Sequence, residues 1–324
     1  MSKFQKRRVL VIGGAGYIGS AIVRWLHDHD YDPLAYDNGG NRSHVPSDRY
    51  LHGNLFDRTK LKAALKECDM VVHCAAHAKV GESASAPRKY WQLNVEGTQV
   101  ILKCMATVGV KKMVFCSTAA TYGQDLPSPI KESDGTYPCN VYGMTKVAAE
   151  MELKRYCEQY DFDVTALRFF NAAGASACGK YGEHRMDETH LIPLALRECV
   201  QGRRRHGLFL NGEDFPTFDG TCVRDYVHVD DIAFAAELAL DALSGWETYN
   251  VGTGEGTSNL DVLRACKHVT RHNLSWETRE RREGDPPVLV ADSNKLRDTL
   301  DWDPEYRTIE DIVESAWKYH KDER

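Results

Sequence analysis

The sequence predicts an α/β fold, a doubly wound and mostly parallel sheet joined by a smaller mixed α/β lobe in the C-terminal half. Three observations predict it. An apolar run, Val9 to Ile12, ends in Gly13-Gly14-Ala15-Gly16-Tyr17-Ile18-Gly19 and opens onto a helical pattern. Short apolar runs then alternate with helical periodicity, which means right-handed crossovers and helices on both faces of a sheet. After about Asn171 the texture changes to glycine-rich, polar sequence with scattered helices.

The expected strands are Arg8–Ile12, Pro33–Tyr36, Met70–His73, Lys112–Ser117 and Val164–Phe170. Between them Ile18, Ile22, Trp25 and Leu26 recur at helical spacing, then Leu61 and Leu65, then Leu93, Ile101, Leu102 and Met105. Further along, helices are expected near Leu191–Gln201, Asp230–Leu243, Asn259–Arg271 and Ile309–His320, with a short strand at Tyr249–Val251. No internal repeat or low-complexity linker separates the halves. The expected division is therefore a first domain over 1–172, with a returning segment near 227–251, and a second lobe built from 173–226 and 252–324.

The glycine turn carries the first functional implication. Glycine at 13, 16 and 19 permits a tight turn, close backbone approach to a pyrophosphate, and close helix–strand packing. The helix that follows offers unpaired N–H groups and a positive dipole end to an anion. This predicts a dinucleotide site at the carboxyl ends of the strands. Asp37 follows the second strand, 18 residues after Gly19. A carboxylate there accepts from a ribose and repels a 2′-phosphate, which favours NAD over NADP; Arg42 in the same loop is the counter-signal.

Composition narrows the remaining classes. The chain has 324 residues, 42% hydrophobic and 27% charged, enough for a large core. A formal net charge of −6 gives no basic excess for nucleic acid or a membrane surface. The basic cluster Arg203-Arg204-Arg205-His206 reads as a solvated loop after a helix. No apolar run approaches the ~18 residues needed to span a bilayer. The ten cysteines include no CxxC or other metal-ligand spacing, and several lie within apolar segments. They predict reduced thiols and a cytoplasmic protein. No His, Cys, Asp or Glu cluster has metal spacing, so no metal is expected.

Tyr142-Gly143-Met144-Thr145-Lys146 places a phenol and an ammonium at i and i+4 on one helix face. A cation beside a phenol stabilises the phenolate, so the pair suits removal of a proton from a substrate hydroxyl. Phe115-Cys116-Ser117-Thr118, ending a strand 24 residues before the tyrosine, supplies a hydroxyl at the ligand crevice. Ser117 is not set in a nucleophile elbow, so a hydrolase is not supported. His73, His77 and His228 read as packed histidines. Arg224-Asp225 reads either as a structural ion pair or as a diphosphate-binding arginine beside an acid.

Glycine turn, strand-end hydroxyl and Tyr-x-x-x-Lys together resemble the extended short-chain dehydrogenase/reductase superfamily, whose sheet is of the Rossmann type. A finer resemblance is to the UDP-glucose (UDP-galactose) 4-epimerases. It rests on Gly13–Ser20, Val80-Gly81-Glu82-Ser83, Asn94-Val95-Glu96-Gly97-Thr98, Arg168-Phe169-Phe170-Asn171, Asp219–Tyr226 and Arg281-Arg282-Glu283-Gly284-Asp285.

The resemblance implies roles. Tyr142 is the expected base, Lys146 its activator, and Thr118 a hydrogen-bond partner of the reacting oxygen. The glycine turn with Tyr17 and Ile18, then Asp37, Asn38, Asn41, Arg42, Asn54, Leu55, Cys74, Ala75, Ala76, Ala78, Asn94 and Phe170, together with Tyr142 and Lys146, are expected around NAD. Asn171, His190, Leu191, Arg224, Tyr226, Arg282, Asp285 and Leu289, with Thr118 and Tyr142, are expected around a UDP-sugar held by the second lobe. Two arginines suit a diphosphate through forked hydrogen bonds.

There are departures from the pattern. Asn54 stands where many members have aspartate. Ala78-Lys79 reverses the order of a lysine seen in some members. His190 replaces asparagine, and Asn211 falls where an aromatic often stacks on uracil. Leu289 is intermediate in size at a position that gates the sugar. The resemblance implies C4 epimerisation of a UDP-sugar and a homodimer through Pro87–Val108 and Val141–Tyr160. The alternatives are UDP-N-acetylhexosamine, UDP-pentose or UDP-glucuronate as substrate, a dehydratase (against which Ala119 and Ala120 argue), or a non-catalytic NAD-binding sensor or scaffold.

Overall fold

A computed structural model describes residues 6–39, 44–124, 126–185, 187–201, 207–282 and 284–322. Asn41, Arg42 and the basic cluster at 203–206 lie outside the described residues. In chain order the strands and α-helices are β1 (Arg7–Ile12), α1 (Tyr17–Asp28), β2 (Tyr31–Asp37), β3 (Tyr50–His52), α2 (Arg58–Leu65), β4 (Met70–His73), α3 (Val80–Ser85), α4 (Pro87–Trp91), α5 (Gly97–Val108), β5 (Lys112–Thr118), α6 (Val141–Tyr160), β6 (Asp163–Phe169), β7 (Asn171–Ala173), α7 (Leu191–Gln201), β8 (Phe209–Asn211), β9 (Val223–His228), α8 (Val229–Asp241), β10 (Trp246–Val251), β11 (Gly256–Ser258), α9 (Asn259–Thr270), β12 (Glu277–Arg279), β13 (Val288–Leu289), α10 (Asn294–Leu300) and α11 (Ile309–His320).

Seven strands form one sheet in the order β10-β6-β5-β4-β1-β2-β3. The pairs β1–β2, β1–β4, β2–β3 and β4–β5 are parallel. The chain runs outward from β1 to β3, then crosses back to β4 on the other side of β1. The carboxyl ends of β1 and β4 therefore flank the topological switch point, where such sheets bind ligands. Val9, Leu10 and Val11 have no exposed surface, and Val71 and Val72 have none either. Strands covered on both faces read as continuous apolar runs, which is why these were visible in the sequence. Leu10, Ile12, Leu61, Val71, Ile101, Met105, Phe115 and Leu153 belong to one buried cluster that joins the sheet to α2, α5 and α6.

The chain divides into two compact units. The first takes in the chain up to Tyr122, then Thr136–Arg168 and Ile232–Tyr249. The second takes in Gly123–Gly135, Phe169–Asp231 and the chain from Asn250 onward. The segment Gly123–Gly135, assigned by sequence to the first domain, thus groups with the second unit. Its backbone explains this: Ile130 N–H donates to the Val290 carbonyl at 2.8 Å, and the Asn250 amide donates to the Ile130 carbonyl at 2.8 Å.

In the second unit β9 pairs with β11, β13 and β7. Ile192, Leu196, Tyr226, Val262, Leu263, Ile312 and Val313 form its core, joining β9 to α7, α9 and α11. Sequence reading placed no strand at β9 because Arg224, Asp225 and His228 break its apolar pattern, yet all three are buried. Asp225 is fully buried and accepts from the N–H groups of Thr253 (2.8 Å), Gly254 (3.0 Å) and Ala291 (3.1 Å) and from the Thr253 hydroxyl (2.8 Å). Burial lifts its carboxyl to about 6 against the pull of those donors. Asp225→Asn turns an amide N–H toward groups that already donate. It should cost about 3–5 kcal/mol of stability in urea unfolding; a loss below ~1 kcal/mol would remove this account of β9.

Candidate active site

The glycine turn lies directly after β1. Gly13 has φ +83°, and a Cβ on it would sit 2.5 Å from the Ala75 nitrogen. A Cβ on Gly19 would sit 2.1 Å from the Gly13 carbonyl oxygen. Those two glycines are demanded by the protein itself. Gly16 is different, since a Cβ there would meet only the Gly13 oxygen, at 3.3 Å. Glycine at 16 is instead what close approach of a pyrophosphate asks for. Gly16 is also the N-cap of α1, with no side-chain cap and no acidic residue in the first turn. The first N–H groups of a twelve-residue helix therefore present a site suited to an anion. These features fit a dinucleotide.

Asp37, at the end of β2, anchors the neighbouring loops. Its carboxylate accepts from Ala15 N–H at 3.2 Å and from Gly39 N–H at 3.0 Å, so it stands beside the glycine turn. Asn38 follows it and is exposed. Asn54 uses its side-chain oxygen to accept from Phe56 N–H at 2.9 Å, while its carbonyl accepts from the Tyr36 hydroxyl at 2.9 Å. Leu55 is buried. Cys74, Ala75, Ala76 and Ala78 leave the end of β4, and both Cys74 and Ala75 donate their N–H groups to the Ile12 carbonyl.

Asn94 braces this loop. It is buried, accepts from His77 N–H at 2.9 Å, and donates to the His77 carbonyl and the Thr145 hydroxyl, each at 3.0 Å. Both amide hydrogens are therefore engaged within the protein. A π-helical turn, Gln92–Glu96, carries Asn94 between α4 and α5, and such insertions recur at functional sites. His77 contributes its backbone to this brace. His73 is buried against the Thr98 hydroxyl at 3.0 Å, and burial holds its imidazole at about 3.

Tyr142 and Lys146 lie one turn apart near the start of α6, whose N-cap Asn140 accepts from Gly143 N–H at 2.9 Å. Gly143 was not singled out in the sequence. A Cβ on it would lie 2.1 Å from the Ala120 carbonyl oxygen, so it lets α6 pack tightly against the turn after β5. That turn begins at Thr118, whose hydroxyl accepts from Ala120 N–H at 3.1 Å. Tyr142 is 8% exposed and Lys146 only 3%. The Lys146 ammonium donates to the Cys116 carbonyl at 2.7 Å and sits 4.5 Å from the centre of the Phe115 ring. Burial lowers its pKa to about 8, offset in part by Cys116, Cys74 and Glu150. Tyr142 and Lys146 thus stand at the start of α6, which packs against the turn that Thr118 opens after β5.

The second unit carries the residues expected around a UDP-sugar other than Thr118 and Tyr142. Arg224 is 8% exposed. Its guanidinium donates to the carbonyls of Val223 and Pro286, each at 2.9 Å, and stands 3.7 Å from the Asp285 carboxylate. It does not form the ion pair with Asp225 that adjacency suggested, because neighbours on a strand project to opposite faces. Leu289 on β13 pairs with Arg224, and Asn171 on β7 pairs with the buried Tyr226. Phe170 is buried, its N–H donating to the Val251 carbonyl at 3.1 Å. Arg282 is exposed; Asn211, with its amide oxygen turned toward that guanidinium, accepts from it at 3.2 and 3.3 Å.

His190 and Leu191 stand at the start of α7. The His190 ring nitrogen Nδ1 lies 2.9 Å from the nearer oxygen of Glu183, a buried carboxylate that also meets Arg185 at 2.9 Å. Burial opposes a charge on His190, but Glu183 outweighs it and raises the imidazole pKa. Glu183 and Arg185 were missed in the sequence, and nothing in their spacing marks them. His228 is buried on the Ala175 carbonyl and the Ser315 hydroxyl, each at 3.0 Å, and stacks on Tyr306. Among the described residues, no helix is long and apolar enough to cross a membrane.

Residues 9–252 match the model of the NAD dependent epimerase/dehydratase family. The chain is 42% identical over 323 residues to the UDP-glucose 4-epimerase of Halalkalibacterium halodurans, covering 97% of this chain and 96% of that protein. It is 41% identical over 317 residues to the UDP-glucose 4-epimerase of Corynebacterium glutamicum, covering 96% of this chain and 95% of that protein. Its structure resembles that of the UDP-glucose 4-epimerase of Brucella ovis in complex with NAD, with a TM-score of 0.93 and 38% identity. That match covers 97% of this chain and 98% of the other.

Proposed function

Because the chain belongs to the NAD dependent epimerase/dehydratase family, we propose that it inverts C4 of a UDP-sugar, interconverting UDP-galactose and UDP-glucose with NAD as resident cofactor. The observation that carries this reading is the placement of Tyr142, the buried Lys146 ammonium and Thr118 at the junction of β5 and α6. A non-catalytic NAD sensor has no need of that arrangement.

Residues of the glycine turn, of the loops after β2 and β4, and of α6 hold the cofactor and move the proton. Gly16 and the start of α1 receive the pyrophosphate, Asp37 receives a ribose, and the loop from Cys74 to Ala78 is held by Asn94. When bound, NAD supplies hydride acceptance and return at the sugar C4. Tyr142, as the phenolate, takes the C4 hydroxyl proton and gives it back to the inverted product. Lys146 keeps a positive charge beside that phenolate, and Thr118 hydrogen-bonds the reacting oxygen. Inversion requires the 4-keto sugar to present either face, so the sugar must be held loosely while the nucleotide stays fixed. The fixed end falls to Arg224 and Arg282 toward the diphosphate, His190 at the start of α7, and Asp285 for a sugar or ribose hydroxyl.

The test is incubation of the purified protein with UDP-galactose and no added NAD, followed by separation of the nucleotide sugars. UDP-glucose should appear. Parallel reactions with UDP-GlcNAc, UDP-xylose and UDP-glucuronate decide among the substrates that Leu289 leaves open. No conversion of any of them by protein that carries bound NAD would overturn the proposal.

The depressed pKa of Lys146 has a pH consequence. Its ordinary value is 10.5 and burial brings it to about 8, so the cation is lost as pH rises through about 8. The alkaline limb of kcat/KM should therefore fall near pH 8, since that ratio reports groups of the free enzyme. Lys146→Met should lower activity and remove the limb. The sign for stability is opposite: burying the ammonium costs stability below pH 8, and the cost fades as pH rises toward 10.5. A limb unchanged in Lys146→Met would assign it to another group.

We also propose that the protein is a homodimer through the helical stretches Pro87–Val108 and Val141–Tyr160. Trp91, Met144, Met151 and Tyr160 are 47%, 49%, 68% and 47% exposed on these helices. Met144 and Met151, seven residues apart, share one face of α6, and exposed apolar side chains on a shared face favour a covered surface. Sedimentation should give a dimer, and Met151→Asp should shift it toward monomer.

A further inference from the structure

Two cysteines that take no part in the proposed proton transfer meet beside Lys146, and Cys74 opens the loop proposed to hold NAD. Cys74 is the first residue after β4, and Cys116 is on β5. The last register pair of these parallel strands is His73 with Phe115. Cys74 and Cys116 are therefore the next positions on each strand. Neighbouring strands lie about 4.8 Å apart, inside the ~4.4–6.8 Å between Cα atoms that a disulfide spans. Their sulfurs are 3.2 Å apart. Cys74 is half-buried as a residue and Cys116 buried, so Cys74 is the nearer of the two to solvent. The Cys116 carbonyl is the acceptor of the Lys146 ammonium.

We propose that Cys74 and Cys116 are an oxidisable dithiol that a peroxide converts into a disulfide, and that the disulfide lowers turnover by displacing the acceptor of Lys146. The Cys74 sulfur attacks one oxygen of hydrogen peroxide; an S–O bond forms, the O–O bond breaks, and the leaving hydroxide takes the thiol proton as water. The Cys116 sulfur then attacks the resulting sulfenic sulfur; the S–S bond forms and a second water leaves. Two thiols lose two electrons and two protons, and the peroxide becomes two waters. The neighbouring Cys116 thiol and burial raise the Cys74 pKa, while the Lys146 charge opposes them. Attack is accordingly slow, and the pair responds to sustained peroxide rather than to traces. Closing the sulfurs from 3.2 Å to about 2.05 Å, with the torsion of about ±90° that a disulfide requires, pulls on the Cys116 backbone, whose carbonyl holds Lys146. A shift of about 1 Å at a positioning group is enough for a tenfold or greater loss of rate.

The experiment treats the NAD-loaded protein with hydrogen peroxide, blocks remaining thiols with N-ethylmaleimide, and maps peptides without reduction. A cross-linked peptide joining Cys74 to Cys116, lighter than the two free peptides by two hydrogens and released by dithiothreitol, is expected. Turnover of UDP-galactose should fall about tenfold or more as it forms and return on reduction. Cys116→Ala, compared with its own untreated activity, should no longer lose turnover at the same dose. Both cysteines still labelled by maleimide after activity is lost would overturn the proposal. So would a cross-link to other cysteines, or equal peroxide sensitivity in Cys116→Ala. The covalent readout stands whether or not UDP-galactose is the substrate; a cross-link that forms without change in turnover overturns the link to Lys146.

Discussion

Tyr142→Phe is expected to lower kcat by on the order of 10³-fold while leaving the fold and the bound NAD in place. The substitution removes one hydroxyl and keeps the ring. Tyr142 is 8% exposed, so the packing of that ring is retained. The start of α6 is fixed by Asn140 capping Gly143 and by the close approach of Gly143 to Ala120, neither of which involves the phenol oxygen. What is lost is the group proposed to exchange the C4 proton. Without it the alkoxide needed for hydride departure does not form, however well the UDP end is held. Steady-state kinetics with UDP-galactose, with NAD released by heat and measured by absorbance, reads both halves of the expectation. Activity within tenfold of the wild type would move the base elsewhere. Thr118→Val should cost less, because it removes a hydrogen bond to the reacting oxygen and not the base.

The sheet and the phenol–ammonium pair were legible because each leaves a local mark. Buried parallel strands write continuous apolar runs, and a helix writes a four-residue spacing. The partners that hold these groups leave no such mark. Asn94 spends its amide hydrogens on His77 and Thr145, 17 and 51 residues away in the chain. Adjacent Arg224 and Asp225 suggest a pair, but the strand sends them to opposite faces, one to carbonyls and Asp285, the other to three backbone N–H groups. β9 stayed hidden because its charges are satisfied by groups that only the fold brings near. Cys74 and Cys116 are 42 residues apart and become neighbours solely through the register of β4 and β5.

The second large effect is expected at Glu150, which sequence did not single out. Arg168 forks onto its carboxylate, with Nη2 at 2.6 Å and Nε at 3.1 Å, and donates through Nη1 to the Tyr122 hydroxyl at 2.9 Å. Ser117 donates its hydroxyl to the same carboxylate at 2.5 Å. Glu150 and Arg168 are 5% and 6% exposed. Burial opposes the Arg168 charge, but Glu150 more than offsets it and holds the guanidinium above its usual value. A buried pair gains little over an apolar replacement, whereas removing one partner strands the other charge away from water. Glu150→Gln should therefore cost about 3–5 kcal/mol in urea unfolding, and Arg168→Met a similar amount. The double variant strands neither charge and should lose less than the sum, by about 2–3 kcal/mol; strictly additive losses would show that the two side chains do not act as a pair. The network also has a kinetic consequence. Ser117 lies between Cys116, whose carbonyl receives Lys146, and Thr118, so freeing it loosens the strand end that places both. In Glu150→Gln, kcat should fall while KM changes little, because Arg224 and Arg282, proposed to hold the diphosphate, are not members of this network. A rise in KM with kcat preserved would instead place the network's influence on nucleotide binding.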